Sequence, residues 1–223
     1  MPEMKGGELI VEFLIKEKTP YVFGLCGHGT VGILDALHAA QDDITLVSPR
    51  HEQTAGHMAD AYYRVKHEPV ATLTSCGPGS ANLVMALTCA LSDSSAFLAI
   101  TANVPTQQFD RGPFQEINRH GAADFPSVVR PVVKRSLQPT RVEMLPLALD
   151  HAWTTMTQGR PGPVQLDVPF NVFQESADVE VPTAAGERIS RRSAASPEDV
   201  SGAVDMLLAA ECPVLFIGHG VTL

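Results

Sequence analysis

Hydrophobic positions along this chain switch repeatedly between two periods. Over residues 7–16 the apolar side chains Leu9, Ile10, Phe13 and Leu14 recur at helical spacing, and residues 21–26 form a short apolar run ended by glycine. The same change of period predicts helices over 31–40, 52–64, 80–91 and 142–158. It predicts further strands over 44–48, 70–75, 96–101, 132–136 and 164–168, with Pro49 and Pro169 closing two of them. Strands and helices in alternation predict an α/β fold. The expected form is a three-layer sandwich with a mainly parallel, about six-stranded sheet flanked by helices on both faces.

Two stretches break the alternation. Residues 103–126 hold prolines, glycines and polar side chains without periodicity, and a loop of that length in a compact domain is commonly functional. Beyond Phe173 the composition turns polar, so the expected organisation is a domain over 1–173, a linker over 174–195 containing Arg188 to Arg192, and the start of a second, truncated domain over 196–223. In that last part Ser196 and Pro197 open a helix to about residue 210, and 213–217 reads as a strand.

Composition narrows the function classes. Among the 223 residues, 44% are hydrophobic and 18% charged, enough apolar material for a real core. A net charge of −9 gives no footprint for nucleic acid. No apolar run reaches the ~18 residues of a membrane span, and no signal-peptide layout opens the chain. The four cysteines, Cys26, Cys76, Cys89 and Cys212, lack paired spacing, which suits a reducing, cytoplasmic setting.

The chemistry concentrates where strands give way to helices, because parallel sheets bind ligands at the carboxyl ends of their strands. Glu52 stands at one such junction, in Arg50-His51-Glu52-Gln53; Gly77-Pro78-Gly79 forms another. An acid in a first helical turn is also favoured by the macrodipole alone. The segment from Gly27 to Gly32 matches the dinucleotide glycine fingerprint, with Glu52 following 20 positions after Gly32. In that fold the acid ends the second strand, whereas here Pro49 and Arg50 intervene and Glu52 opens a helix. His51, Glu52 and His57 do not make a zinc helix, since Ala55 stands where the second histidine belongs. No metal ligands are assigned. His38, His67, His120 and His151 read as surface or satisfied core groups.

Val22-Phe23-Gly24, Arg50-His51-Glu52-Gln53, Gly77-Pro78-Gly79 with Asn82, and Gly159-Arg160-Pro161-Gly162-Pro163-Val164 occur in this order, with Phe114-Gln115-Glu116 between the last two. In these segments the chain resembles the amino-terminal, pyrimidine-binding domain of thiamine diphosphate-dependent enzymes of the acetolactate synthase (acetohydroxyacid synthase) type. The resemblance runs from about Gly6 to Phe173, and 196–223 resembles the start of that family's central domain. It implies a transferase or lyase, a carboligase acting on a 2-keto acid, in which Glu52 bonds a ring nitrogen of the cofactor's aminopyrimidine and activates the cofactor. By the same match Cys26, Gly27, Gly77, Pro78 and Asn82 border the cofactor, and Gln115 reaches the thiazolium or substrate from the long loop.

The resemblance also implies partners. The Gly-Asp-Gly motif that holds magnesium and the diphosphate is absent here. In the family it belongs to the carboxyl-terminal domain of the partner subunit, so a homodimer or dimer of dimers is expected, with the apolar helix over 80–91 at the interface. FAD is left open, carried through the domain not present here. On this reading these 223 residues alone are incomplete and inactive.

Two departures bear on the reaction. The family usually has Pro-Gly-Gly-Ala where this chain has Cys26-Gly27-His28-Gly29, so His28 adds an imidazole, either a proton relay, a polar-substrate contact or plain pocket lining. A Gly-His-Gly at this turn is similar to the family's cyclohexanedione hydrolase. Arg119-His120 lacks the double histidine of simple pyruvate decarboxylases, which favours ligation or lysis. Dione hydrolysis, 2-keto acid decarboxylation, an inactive binding module of the same fold and a nucleotide-dependent oxidoreductase stay open as alternatives.

Overall fold

The computed structural model describes residues 3–117, 124–183 and 194–221. Arg119-His120 and the arginines of 188–192 lie outside the described residues.

Six strands form one parallel sheet: β2 (Tyr21–Gly24), β3 (Thr45–Val47), β4 (Val70–Thr74), β5 (Phe97–Asn103), β6 (Arg135–Leu137) and β7 (Val164–Pro169). Their order is β3-β2-β4-β5-β7-β6, every neighbouring pair parallel. Strand period 2 divides β5 between the two faces: Leu98, Ile100 and Ala102 enter one hydrophobic cluster, Phe97 and Ala99 the other.

Helices cover both faces, so the expected three-layer sandwich is what forms. On the first face lie α1 (Gly6–Lys16), α2 (Val31–Ala39), α7 (Leu145–Thr157) and α8 (Phe170–Gln174), with Leu9, Phe13, Ile33, Trp153 and Phe173 packed on the sheet. On the second lie α3 (Glu52–Lys66), α5 (Val84–Ser92) and the short α6 (Phe125–Val129), with Ala55, Ala59, Leu83, Leu87 and Val129 inside. α3 and α5 cross closely, because Gly56 faces Ala86 with no room for a side chain between them.

The strand order contains a switch. From β2 the chain passes through α2 to β3 on one side, then through α3 to β4 on the other. Parallel sheets bind ligands at such a switch, here outside the carboxyl ends of β2 and β4. The turn 25–30 and the turn 75–79 both stand at that point.

Four expectations change in detail. The helix foreseen over 80–91 is two pieces, α4 (Pro78–Ala81) and α5, because Leu83 N bonds Ser80 O at 3.0 Å and tightens the turn between them. The strand foreseen over 132–136 starts later, at Arg135, since residues 130–132 form a 3₁₀ turn. Within the linker, β8 (Ser176–Asp178) pairs antiparallel with β1 (Glu3–Lys5) as a separate two-stranded sheet. The run 213–217 has no strand partner among the described residues; Val214 and Phe216 are fully open to solvent. It follows α9 (Pro197–Ala209), which is capped by Ser196 Oγ accepting from Asp199 N at 3.0 Å.

Candidate active site

Three turns meet at the switch point, and each is held by local chemistry. α3 begins with His51 as its cap, Nδ1 accepting from Gln53 N at 3.2 Å, which sets Glu52 in the first turn at the end of β3. The turn after β4 is fixed by Ser80, whose Oγ donates to Ser75 O at 2.6 Å and lies 3.0 Å from Thr74 Oγ1. The turn after β2 is closed by Thr30, which donates to Gly27 O and accepts from Gly27 N.

Glu52 is half-buried, and Asn82 Nδ2 donates to its Oε2 at 2.9 Å. The tightened turn at Leu83 is what presents Asn82 to α3. Oε1 has no hydrogen-bond partner among the described residues, and it lies over the bare backbone of Gly79: a Cβ there would sit 3.2 Å from it. One carboxylate oxygen is therefore held by an amide, and the other lies against a glycine.

A second group forms around Cys76, which is 1% exposed. Its Sγ donates to Gln115 Oε1 at 3.6 Å and lies 3.9 Å from His28 Nε2. Burial pushes the thiol above its ordinary range, so it acts as a neutral thiol. Phe114 stands beside His28, ring centroids 6.2 Å apart. The long loop thus folds back over the β4 turn. Gly77, at φ +61°, admits this contact, because a Cβ would come within 2.3 Å of Gln115 O.

Asp167 is buried on β7, where its charge reaches Cys76. It accepts from Thr101 Oγ1, Asn103 Nδ2 and Gln138 Nε2, each at 2.7 Å. Burial raises its pKa to about 6 despite those donors, and the charge of Asp124 adds to the rise. Thr101 in turn accepts from Gln165 Nε2, extending the network across β5 and β7.

The residues singled out in the sequence divide accordingly. Glu52 and Asn82 touch, and Gln115 and His28 both touch Cys76. Gly27 packs on Ser75, where a Cβ would come within 2.5 Å, and Gly77 packs on Gln115. Pro78 is the first residue of α4, and Cys26 is exposed on the turn after β2. Sequence reasoning assigned no role to Cys76, Gly79, Phe114, Glu116 or Asp167, although Gly79, Phe114 and Glu116 stand in the segments quoted above. Cys76 had a signal, its place immediately before the Gly77-Pro78-Gly79 turn. Among the described residues no group of three or more His, Cys, Asp or Glu is placed to hold a metal ion. No helix there is long and apolar enough to cross a membrane.

The domain is a parallel α/β sandwich with an acid and a glycine turn at its switch point. The sequence signature described as thiamine pyrophosphate enzyme, N-terminal TPP binding domain, matches residues 4–122. That is more than half of the 223 residues, and the chain belongs to this family. It is 33% identical over 216 residues to the acetolactate synthase isozyme 1 large subunit of Escherichia coli K12, covering 97% of this chain and 37% of that one. It is 32% identical over 226 residues to the mitochondrial acetolactate synthase catalytic subunit of Saccharomyces cerevisiae, covering 98% and 32%. A probable acetolactate synthase large subunit of Methanocaldococcus jannaschii is 32% identical over 222 residues, covering 98% and 36%. The chain spans about a third of the length of these curated relatives.

Proposed function

We propose that this chain is the cofactor-activating domain of a thiamine diphosphate-dependent carboligase or lyase that acts on a 2-keto acid. The observation that carries the reading is Glu52, with Oε2 held by Asn82 and Oε1 left over Gly79 at the switch point of the sheet. These residues fit the aminopyrimidine end of the cofactor. Glu52 Oε1 would hold the ring nitrogen and could share a proton with it, while Asn82 keeps the carboxylate from turning away. Aspartate would be too short for this contact, and glutamine would lack the exchangeable proton.

Bound thiamine diphosphate supplies the nucleophilic carbon and the electron sink of the reaction. The chain's own residues supply position and field. Gln115 offers its amide toward the substrate, and His28 holds or relays a proton next to it. Magnesium and the diphosphate belong to residues outside these 223, brought by a second copy in a homodimer.

His28 favours a second reading, hydrolysis of a dione, because an imidazole beside Cys76 and Phe114 can serve a polar substrate. The test uses the complete protein as encoded, with thiamine diphosphate, Mg²⁺ and a panel of 2-keto acids and diones. Glu52-dependent consumption of a 2-keto acid supports the carboligase or lyase, and of a dione the hydrolase. Binding of the cofactor without turnover of either points to an inactive module. Turnover undiminished in Glu52→Gln overturns the assignment of Glu52.

A further inference from the structure

We infer that Glu116 is the positioning residue that holds Gln115 over Cys76 and His28. Glu116 is 7% exposed, and its carboxylate turns inward to its own loop. Oε1 accepts from Asp110 N and Oε2 from Gly112 N, both at 2.8 Å. Glu116 N in turn donates to Pro113 O at 3.2 Å. One side chain thereby closes residues 110–116 into a ring. Its charge is balanced by backbone N–H dipoles, and no cation pairs with it among the described residues.

The ring is bent in an uncommon way. Asp110, Gly112 and Gln115 take φ of +62°, +66° and +67°. Left-handed backbone at non-glycine residues persists only where the surroundings determine it from several sides. For Gln115 those sides are visible. Its carbonyl is seated on Gly77, its side chain accepts from Cys76, and the next residue along is anchored by two charge-assisted bonds. Removing the anchor leaves the Gly77 contact, the Glu116 N–Pro113 O bond and one weak S–H···O bond to hold the bend. Cys76 is sealed only while the loop stays down, so its thiol reports on the anchor.

The inference rests on the proposed function for the use made of Gln115, while its structural half stands independently. The complete protein is compared with Glu116→Gln and Glu116→Ala. Two readouts are taken without cofactor: amide exchange at Asp110 and Gly112, and the alkylation rate of Cys76 followed on its own peptide by mass spectrometry. A third is the split between kcat and KM in the assay given above. In Glu116→Ala both amides lose protection and Cys76 reacts roughly tenfold faster or more, the scale of one charge-assisted bond. Glu116→Gln, with one acceptor oxygen left, falls between and serves if the alanine variant does not fold. The expected kinetic loss is in kcat, with cofactor affinity altered by less than about twofold because Glu52 and Asn82 are untouched. Protection at Gly112 and a Cys76 rate unchanged in both variants would overturn the inference. If the loop responds as described but wild type turns over no substrate, the anchor stands and the proposed function fails; Glu52-dependent turnover with a neutral Glu116 sinks the anchor alone.

Discussion

Asn82 and Glu52 meet across 30 residues of sequence, the amide at the joint of α4 and α5 donating at 2.9 Å to the acid in the first turn of α3. Neither residue is held there by its own helix alone. The meeting depends on the close α3–α5 crossing at Gly56 and Ala86 and on the tightened turn at Leu83. Separating the two roles is straightforward. Glu52→Gln is expected to lower turnover by about 10²-fold or more, the usual scale of a lost proton-transfer group. Asn82→Ala is expected to lower it by about tenfold, as for one hydrogen bond to a charged group. Steady-state kinetics on the complete protein checks both; equal losses would mean that Asn82 does more than orient the acid.

Gly79→Ala separates binding from folding. The glycine lies in α4, and its φ is not in the left-handed region, so a methyl suits the helix. The same methyl enters the space beside Glu52 Oε1. Thermal stability should stay within about 1 kcal/mol of wild type, while titration calorimetry should show thiamine diphosphate binding weakened by about tenfold or more. Unaltered affinity would place the cofactor elsewhere.

Gly77→Ala should do the opposite and damage the fold. Its φ of +61° disfavours any side chain, and the new Cβ would lie 2.3 Å from Gln115 O. Strain and clash together predict a loss of about 2 kcal/mol or more in urea unfolding. The Gln115 loop should lift as well, visible as faster alkylation of Cys76.

Asp167 gives the chain a pH signature. Its carboxyl rises from 3.8 to about 6 on folding, chiefly through burial. Between those values the folded state holds a proton that the unfolded state has released, so this group's contribution to stability falls as pH climbs from 3.8 through 6. Below 3.8 both states are protonated and nothing more is gained. Urea midpoints measured across this range should slope downward with pH, and Asp167→Asn should flatten the slope. An identical slope in the variant would assign it to other groups.

Much of this arrangement is legible in the sequence. The parallel sandwich follows from the change of period, and Glu52 is read as a helix-opening acid because Pro49 stops the strand before it. The break at Asn82 is not legible, since residues 80–91 are nearly all apolar and their periodicity runs on through a single tightened turn. The β1–β8 pair is hidden for a different reason: three residues a side, largely exposed, carry no pattern. The ring closed by Glu116 consists of side chain-to-backbone bonds within a loop, which hydrophobic spacing does not encode. Asp167 does leave a trace, a carboxylate between Leu166 and Val168 in an otherwise buried strand.

The small antiparallel clasp of β1 and β8 sets Glu3 opposite Asp178, so the sandwich is entered and left at one spot. A short linker between these positions, with new termini cut at the exposed Gly159 turn, would give a circular permutant that keeps every neighbour of the parallel sheet. The connectivity of the backbone could then be rewired while Glu52, Asn82 and the Gln115 loop stay within uncut segments.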